Sequence, residues 1–230
     1  IQLAKIGLSE WNVVNNVSGA FGAFRRSFLQ KIGGWDTHTA EDLDITLRIK
    51  NYFGRRPLRI PFEPRAIGHT DAPVTFRQFL MQRLRWDGDL FFLYVRKHRH
   101  SFTPRLLGWP NFLVVLVSGF FFQLVLPFII LGYFIVGLYS LTLSTFLVLA
   151  WLVYLVYLAN TLLAYVVAVC MVSERPRQDL WLCWVVPLFP LFMFVMRCWS
   201  AVAILNEMIR RGHEETSMAP WWVLRKAKRF

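Results

Sequence analysis

Between residues 106 and 172 this 230-residue sequence lacks charge altogether: 67 positions pass without Asp, Glu, Lys, Arg or His. A transmembrane helix needs about 20 apolar residues, so such a run holds at least two spans and excludes a purely soluble protein. Cysteine is scarce as well. Cys170, Cys183 and Cys198 all lie in apolar segments without a CxxC or His-spaced pattern, which excludes a disulfide framework or a cysteine-based metal site. Charged residues make up only 17%, against roughly 25% in an ordinary soluble domain. With 56% hydrophobic residues, disorder and low complexity are excluded too. There is no internal repeat.

What charge there is sits at the two ends. Residues 1–105 carry 17 Lys+Arg and 9 Asp+Glu, a net of +8, and the remainder carries 9 and 5, a net of +4. The expected organisation is a cytoplasmic portion 1–105, two transmembrane helices within 106–172, a cytoplasmic linker 173–179, a third apolar segment 180–212 and a basic tail 213–230. The two helices are read as 109–138 and 143–172, divided at Tyr139-Ser140-Leu141-Thr142, with Pro127 and Gly132 kinking the first. The third segment is interrupted by Pro187, Pro190 and Arg197, and either spans or re-enters; re-entry keeps the tail inside, as the positive-inside rule prefers. Arg197 is expected to face protein, water or lipid phosphate. The cluster from Arg96 to His100 reads as a collar facing lipid headgroups. Because the basic residues abut spans and no binding module accompanies them, nucleic acid is excluded as a partner.

Residues 1–105 read as alternating α/β. A β-prone run at Trp11-Asn12-Val13-Val14 leads into the Gly-rich segment 17–24. A short helix 26–32 ends at Gly33-Gly34, where a left-handed cap suits glycine. A second helix starts near Glu41 and runs to Phe53, with acidic residues at its front and Arg48 and Lys50 near its end complementing the dipole. Leu58-Arg59-Ile60 reads as a strand, and a helix capped by Thr75 runs to Lys97. His69 and Asp71 fall in a loop.

Two constellations here can carry chemistry. Glu41, Asp42 and Asp44 crowd three carboxylates at a helix start. Like charges raise one another's pKa while the helix N-terminus lowers it, and a carboxylate so balanced can act as a general base toward a hydroxyl. The same cluster can equally do no more than complement the dipole. Gln82, Arg85 and Trp86 share one helix face by their spacing. An amide, a guanidinium and an indole together suit a phosphate beside a sugar ring, or else an amphipathic helix lying at a membrane surface.

Taken in order, Gly19-Ala20-Phe21-Gly22-Ala23-Phe24-Arg25-Arg26, then Gly33-Gly34-Trp35, then the run from Thr39 through Ala40-Glu41-Asp42-Leu43-Asp44 to Arg48, then Gln82-x-x-Arg85-Trp86, then apolar spans, these pieces resemble the membrane-integrated, processive family 2 glycosyltransferases. Those are the cellulose, chitin, hyaluronan and poly-N-acetylglucosamine synthases. The resemblance implies the C-terminal half of a GT-A-like α/β domain followed by an α-helical membrane region. It implies Asp42 as general base with Glu41 in support, and a donor and acceptor site from Gln82, Arg85, Trp86, Asp44 and Gly19. It implies an inverting, processive transferase of the plasma or inner membrane, with its catalytic part cytoplasmic. Such an enzyme moves sugar from a nucleotide donor, UDP-linked by family habit, to a growing polysaccharide that it exports, with or without an export partner protein.

Ala40 stands where the family commonly has Thr. The family's nucleotide-binding half, with the D-x-D that holds Mg or Mn, is expected before Ile1, so no metal ligand is assigned here; Asp87-Gly88-Asp89 has the D-x-D spelling but falls on a helix. The alternatives are a non-catalytic membrane subunit and a non-processive transferase acting on a lipid carrier. The Glu-Asp-x-Asp-Ile-Thr-Leu-Arg wording lies closer to the N-acetylglucosamine polymer synthases than to cellulose synthases.

Overall fold

The computed structural model describes residues 2–37, 39–56, 58–66, 68 and 71–212; His69 and the basic tail 213–230, both singled out above, lie outside the described residues. The chain divides into two compact units, one made of Ile1–Val125 with Val202–Phe230 and the other of Leu126–Ala201. Among the described residues every regular element is a helix and none is a strand. The sheet expected for residues 1–105 is therefore not formed among them.

The segments expected as strands show why. A strand exposes a backbone donor and acceptor at every residue and needs a neighbour to satisfy them. Here a single side chain does part of that work. Asn12 donates from Nδ2 to the carbonyl of Leu58 (2.6 Å) and accepts at Oδ1 from the N–H of Ile60 (3.1 Å). The two segments are thus tied by an amide rather than by a ladder. Val14 and Ile60 still bury themselves, packing with Ile45 and Ile49 and beside Phe24, Phe28 and Leu29.

The first unit opens with α1 (Gln2–Glu10) and α2 (Arg26–Lys31). Past α2, Gly33 and Gly34 take φ of 83° and 64°, the left-handed conformation that ends a helix at no steric cost. Helix α3 (Glu41–Lys50) is shorter than its expected end at Phe53. Beyond it the chain turns tightly, because Gly54 must dock on the segment before the first long helix. Its N–H donates to the carbonyl of Leu106 at 2.8 Å, and a Cβ there would lie 1.9 Å from the carbonyl oxygen of Arg105.

Helix α4 (Phe76–Phe91) begins at Thr75 with a reciprocal capping box: Thr75 accepts from the N–H of Gln78, and the Gln78 side chain accepts from that of Thr75. It does not run evenly to Lys97. From Phe92–Lys97 it widens into a π-turn, followed by a 3₁₀ turn (Arg99–Ser101) and the short α5 (Pro104–Leu107).

Three further helices among the described residues are long and apolar enough to cross a membrane: α6 (Trp109–Ser140), α7 (Leu143–Met171) and α8 (Pro176–Arg210). In α6 the stretch Val115–Val125 is π-helical and gives way to α-helix just before Pro127. Proline offers no N–H and crowds the carbonyl four residues back, and the wider turns carry that defect without ending the helix. In α8 the stretch around Pro187 tightens to 3₁₀ (Leu180–Leu188) and then resumes as α-helix at Phe189. Pro187 and Pro190 therefore deform α8 and do not interrupt it. These three helices mark a membrane protein.

Candidate active site

The start of α3 is built without a capping side chain. Ala40 occupies the N-cap in the left-handed region, φ 43° and ψ 48°, which costs an L-residue about 1–2 kcal/mol. The bend it makes turns Asp42 back onto the chain that precedes it. Oδ1 of Asp42 accepts from the N–H of Leu43 at 2.8 Å. Oδ2 accepts from Nδ2 of Asn16 at 3.0 Å and from the N–H of Gly19 at 3.3 Å. The approach is close: a Cβ on residue 19 would stand 3.2 Å from the Asp42 Cβ, so any larger residue would press on Asp42. The carboxylate is thereby fixed in direction while staying half-exposed.

Asp42 opens onto a cleft of about 320 Å³, lined also by Ser18, Gly19, Phe24, Trp35 and Glu41. Glu41 is exposed beside it. Trp35, for which the sequence carried only a motif position, is the additional feature of this cleft. Its indole is 55% exposed and is braced edge-on by Phe24, ring centroids 6.2 Å apart and planes at 87°. An indole plate facing a half-buried carboxylate is chemistry suited to a sugar ring with a hydroxyl to be deprotonated. No sequence periodicity could have revealed it, because Trp35 reaches the cleft from a loop.

Gln82, Arg85 and Trp86 do not line this cleft. Arg85 and Trp86 are exposed and Gln82 is half-buried. The guanidinium of Arg83 lies 5.0 Å from the Trp86 ring centre and 5.4 Å from that of Phe79. One contact shows which way their helix face turns. Asp89 lies seven residues after Gln82 and so on the same face of α4, and it accepts a hydrogen bond from the Thr39 hydroxyl, two residues before Glu41. The face bearing Gln82, Arg85 and Trp86 thus turns toward the segment that leads into α3.

Asp44 requires a correction. Expected among the donor and acceptor residues, it is wholly buried (0% exposed). It sits 3.0 Å from Arg48, 2.9 Å from Lys97 and 2.7 Å from His98. Helix geometry is the reason: two residues beyond Asp42 it points to the other side of α3. Burial alone would raise its carboxyl, but the His98 hydrogen bond and the Lys97 charge and hydrogen bond hold it down at about 2.

Lys50, expected to meet the helix dipole, is also wholly buried, and its Nζ has no hydrogen-bond partner. Desolvation pushes its pKa down to about 7.

The D-x-D spelling at 87–89 does not make a metal site: Asp89 is 3% exposed and turned onto Thr39. Among the described residues no group of three His, Cys, Asp or Glu could hold a metal ion. The described residues therefore do not fit a divalent cation.

A family model described as glycosyl transferase family group 2 matches residues 12–223. A Bacillus subtilis (strain 168) protein, named a probable glycosyltransferase, YdaM, is 35% identical over 85 residues, covering 36% of this chain and 19% of that protein. The poly-beta-1,6-N-acetyl-D-glucosamine synthase of Staphylococcus epidermidis is 32% identical over 74 residues, 32% of this chain and 17% of that one. The matched stretch thus spans less than a fifth of these curated relatives. No solved structure matches the chain.

Proposed function

The chain belongs to glycosyl transferase family group 2, and from that premise we propose that it is the catalytic C-terminal and membrane portion of an inverting, processive glycosyltransferase that exports its polysaccharide. The observation that carries this reading is the Asp42 carboxylate, aimed by Asn16 and Gly19 into a cleft with Glu41 and Trp35. In the proposed step Asp42 takes the proton of an acceptor hydroxyl. The freed oxygen attacks the anomeric carbon from the face opposite the leaving group, and the bond to the nucleotide diphosphate breaks with its electron pair on phosphate. Glu41 supports the base. Gln82, Arg85 and Trp86 hold the pyrophosphate and the acceptor sugar.

The relative named as a poly-N-acetylglucosamine synthase, like the wording of the 41–48 run, favours an N-acetylhexosamine donor, with UDP as its carrier by the resemblance to the family. The nucleotide and its divalent metal, Mg or Mn, are assigned to a GT-A-like α/β half that residues 1–105 complete. That portion is placed at the cytoplasmic face of the plasma or inner membrane. Helices α6 and α7 span, residues 173–179 return the chain to the cytoplasm, and 180–212 forms a third crossing.

The test uses the full-length protein in membranes with labelled UDP-N-acetylglucosamine. Asp42→Asn should lower polymer synthesis by about 10³-fold, within the range for losing a general base, at unchanged protein level. Retained synthesis would remove Asp42 from the mechanism.

A further inference from the structure

The buried cluster at Asp44 joins the two helices on which the proposed activity depends. Asp42 and Asp44 are about 200° apart around α3, so a carboxylate facing the cleft is paired with one facing inward. The inward one meets Lys97 and His98, which follow α4 through its π-turn (Phe92–Lys97). A π-turn retards helix rotation by roughly one residue, about 100°. In an unbroken α-helix Lys97 and His98 would therefore point elsewhere.

The grip is repeated on either side of Asp42. Upstream, Lys97 also donates to the carbonyl of Asp36 at 2.8 Å, and Thr39 donates to Asp89. Downstream, Arg48 ties Asp44 to the carbonyls of Ile32 (2.9 Å) and Gly34. Thr39, Asp44, Asp89 and His98 are all buried. An apolar cluster of equal volume would hold two helices together about as firmly as buried ions do. What it would not do is specify a single rotation and rise between them, as directed hydrogen bonds to one carboxylate do.

We propose that Asp44, Lys97 and His98 form a positioning clamp that sets the Asp42 carboxylate in register with the Gln82, Arg85 and Trp86 face of α4. The clamp touches no substrate; it acts through Asp42. It rests on the roles given to Asp42 and to that face above.

The experiment measures full-length protein in membranes for two reactions, transfer of labelled sugar to acceptor and hydrolysis of the donor by water. A misaligned base loses the acceptor hydroxyl before it loses water, which is small and reaches either geometry. His98→Leu should raise the acceptor KM and the ratio of hydrolysis to transfer by roughly 10-fold, since displacements near 1 Å can cost up to about 10²-fold. The donor KM should stay unchanged. His98→Gln, which keeps a donor at the same reach, should restore both to within about twofold.

A merely structural role predicts fewer active molecules, with both reactions falling together at constant KM. That result overturns the proposal. Should His98→Leu fail to accumulate, the double variant Asp44→Asn, Lys97→Met removes the carboxylate together with the lysine charge, leaves Arg48 on the carbonyls of Ile32 and Gly34, and reads the same ratio. Asp42→Asn run in parallel separates the two hypotheses. Full transfer in Asp42→Asn sinks the role of the base, whereas its loss beside unaltered ratios in the clamp variants sinks the clamp alone.

Discussion

Helices α3 and α7 are held in place by opposite means. Seven of the ten residues of α3 are buried, Asp44, Thr46 and Lys50 among them, and each flank meets a different part of the first unit. None of the 29 residues of α7 is buried. For α3 the neighbours are protein, so each position faces a particular partner and tolerates few replacements. For α7 most side chains require apolar surroundings without requiring particular ones; the exceptions are Tyr154 and Tyr165, whose hydroxyls donate to the carbonyls of Pro187, Asp179 and Leu180. Specificity in this chain is concentrated where the chemistry is proposed, and apolar bulk lies elsewhere.

That contrast can be broken by substitution. The largest effect is expected from a charge at the middle of α7. Val156, 61% exposed, should cost about 3 kcal/mol of insertion free energy when changed to Asp, read as loss of membrane-integrated protein in a glycosylation-tag insertion assay. Val156→Leu in the same assay should change it by less than about 0.5 kcal/mol. A comparable loss for both would mean that Val156 packs against a specific protein partner.

Next is Gly54, where steric room and not polarity is at stake. Gly54→Ala drives a methyl into the carbonyl of Arg105 and should destabilise the first unit by about 1–3 kcal/mol, seen as a lowered melting temperature in detergent. An unchanged melting temperature would show that the turn after α3 can move away freely.

The smallest effect should be a gain. Lys50 has a folded pKa near 7 against 10.5 for the free side chain, so between those values the unfolded chain binds more protons and stability rises with pH. The penalty of burying this lysine is full at and below pH 7 and fades toward pH 10.5. Lys50→Met should therefore raise the melting temperature by roughly 5 °C at pH 6.5, with the advantage shrinking by pH 9.5. A pH-independent gain would trace the effect to packing, and a loss would mean that Lys50 has a bound partner.

Much of the local structure was legible in the sequence. The starts of α2, α3 and α4, the Thr75 cap and the Gly33-Gly34 stop are signalled within a few residues of where they occur, because caps and turns are short-range events. The two expected strands are not formed among the described residues: a strand is a relation to a neighbour, and here the Asn12 side chain bridges the two segments instead of a ladder. The π-turn at Phe92–Lys97 carries no local signal either: nothing in Phe-Leu-Tyr-Val-Arg-Lys asks for a wider helix. In the candidate site, the acidic run at a helix start draws attention to Asp42, but neither the cleft it opens onto nor the place of Trp35 in that cleft is legible in the sequence. Spacing puts Asp42 and Asp44 on opposite sides of α3 but does not say which side is buried. Their difference depends on Lys97 and His98, more than fifty positions away.

By itself the sequence determined the character of each stretch: which parts are apolar enough to need a membrane, where helices begin, and which carboxylates crowd together. These follow from composition and from interactions spanning three or four residues. Tertiary structure alone decided what each carboxylate and amine became. Asp42 stays half-exposed and aimed, Asp44 is enclosed by three basic side chains, and Lys50 is buried with its Nζ unpaired. The physical reason is that burial and pairing are set by groups distant in the chain, and they alter the energy of a charge far more than its immediate neighbours do.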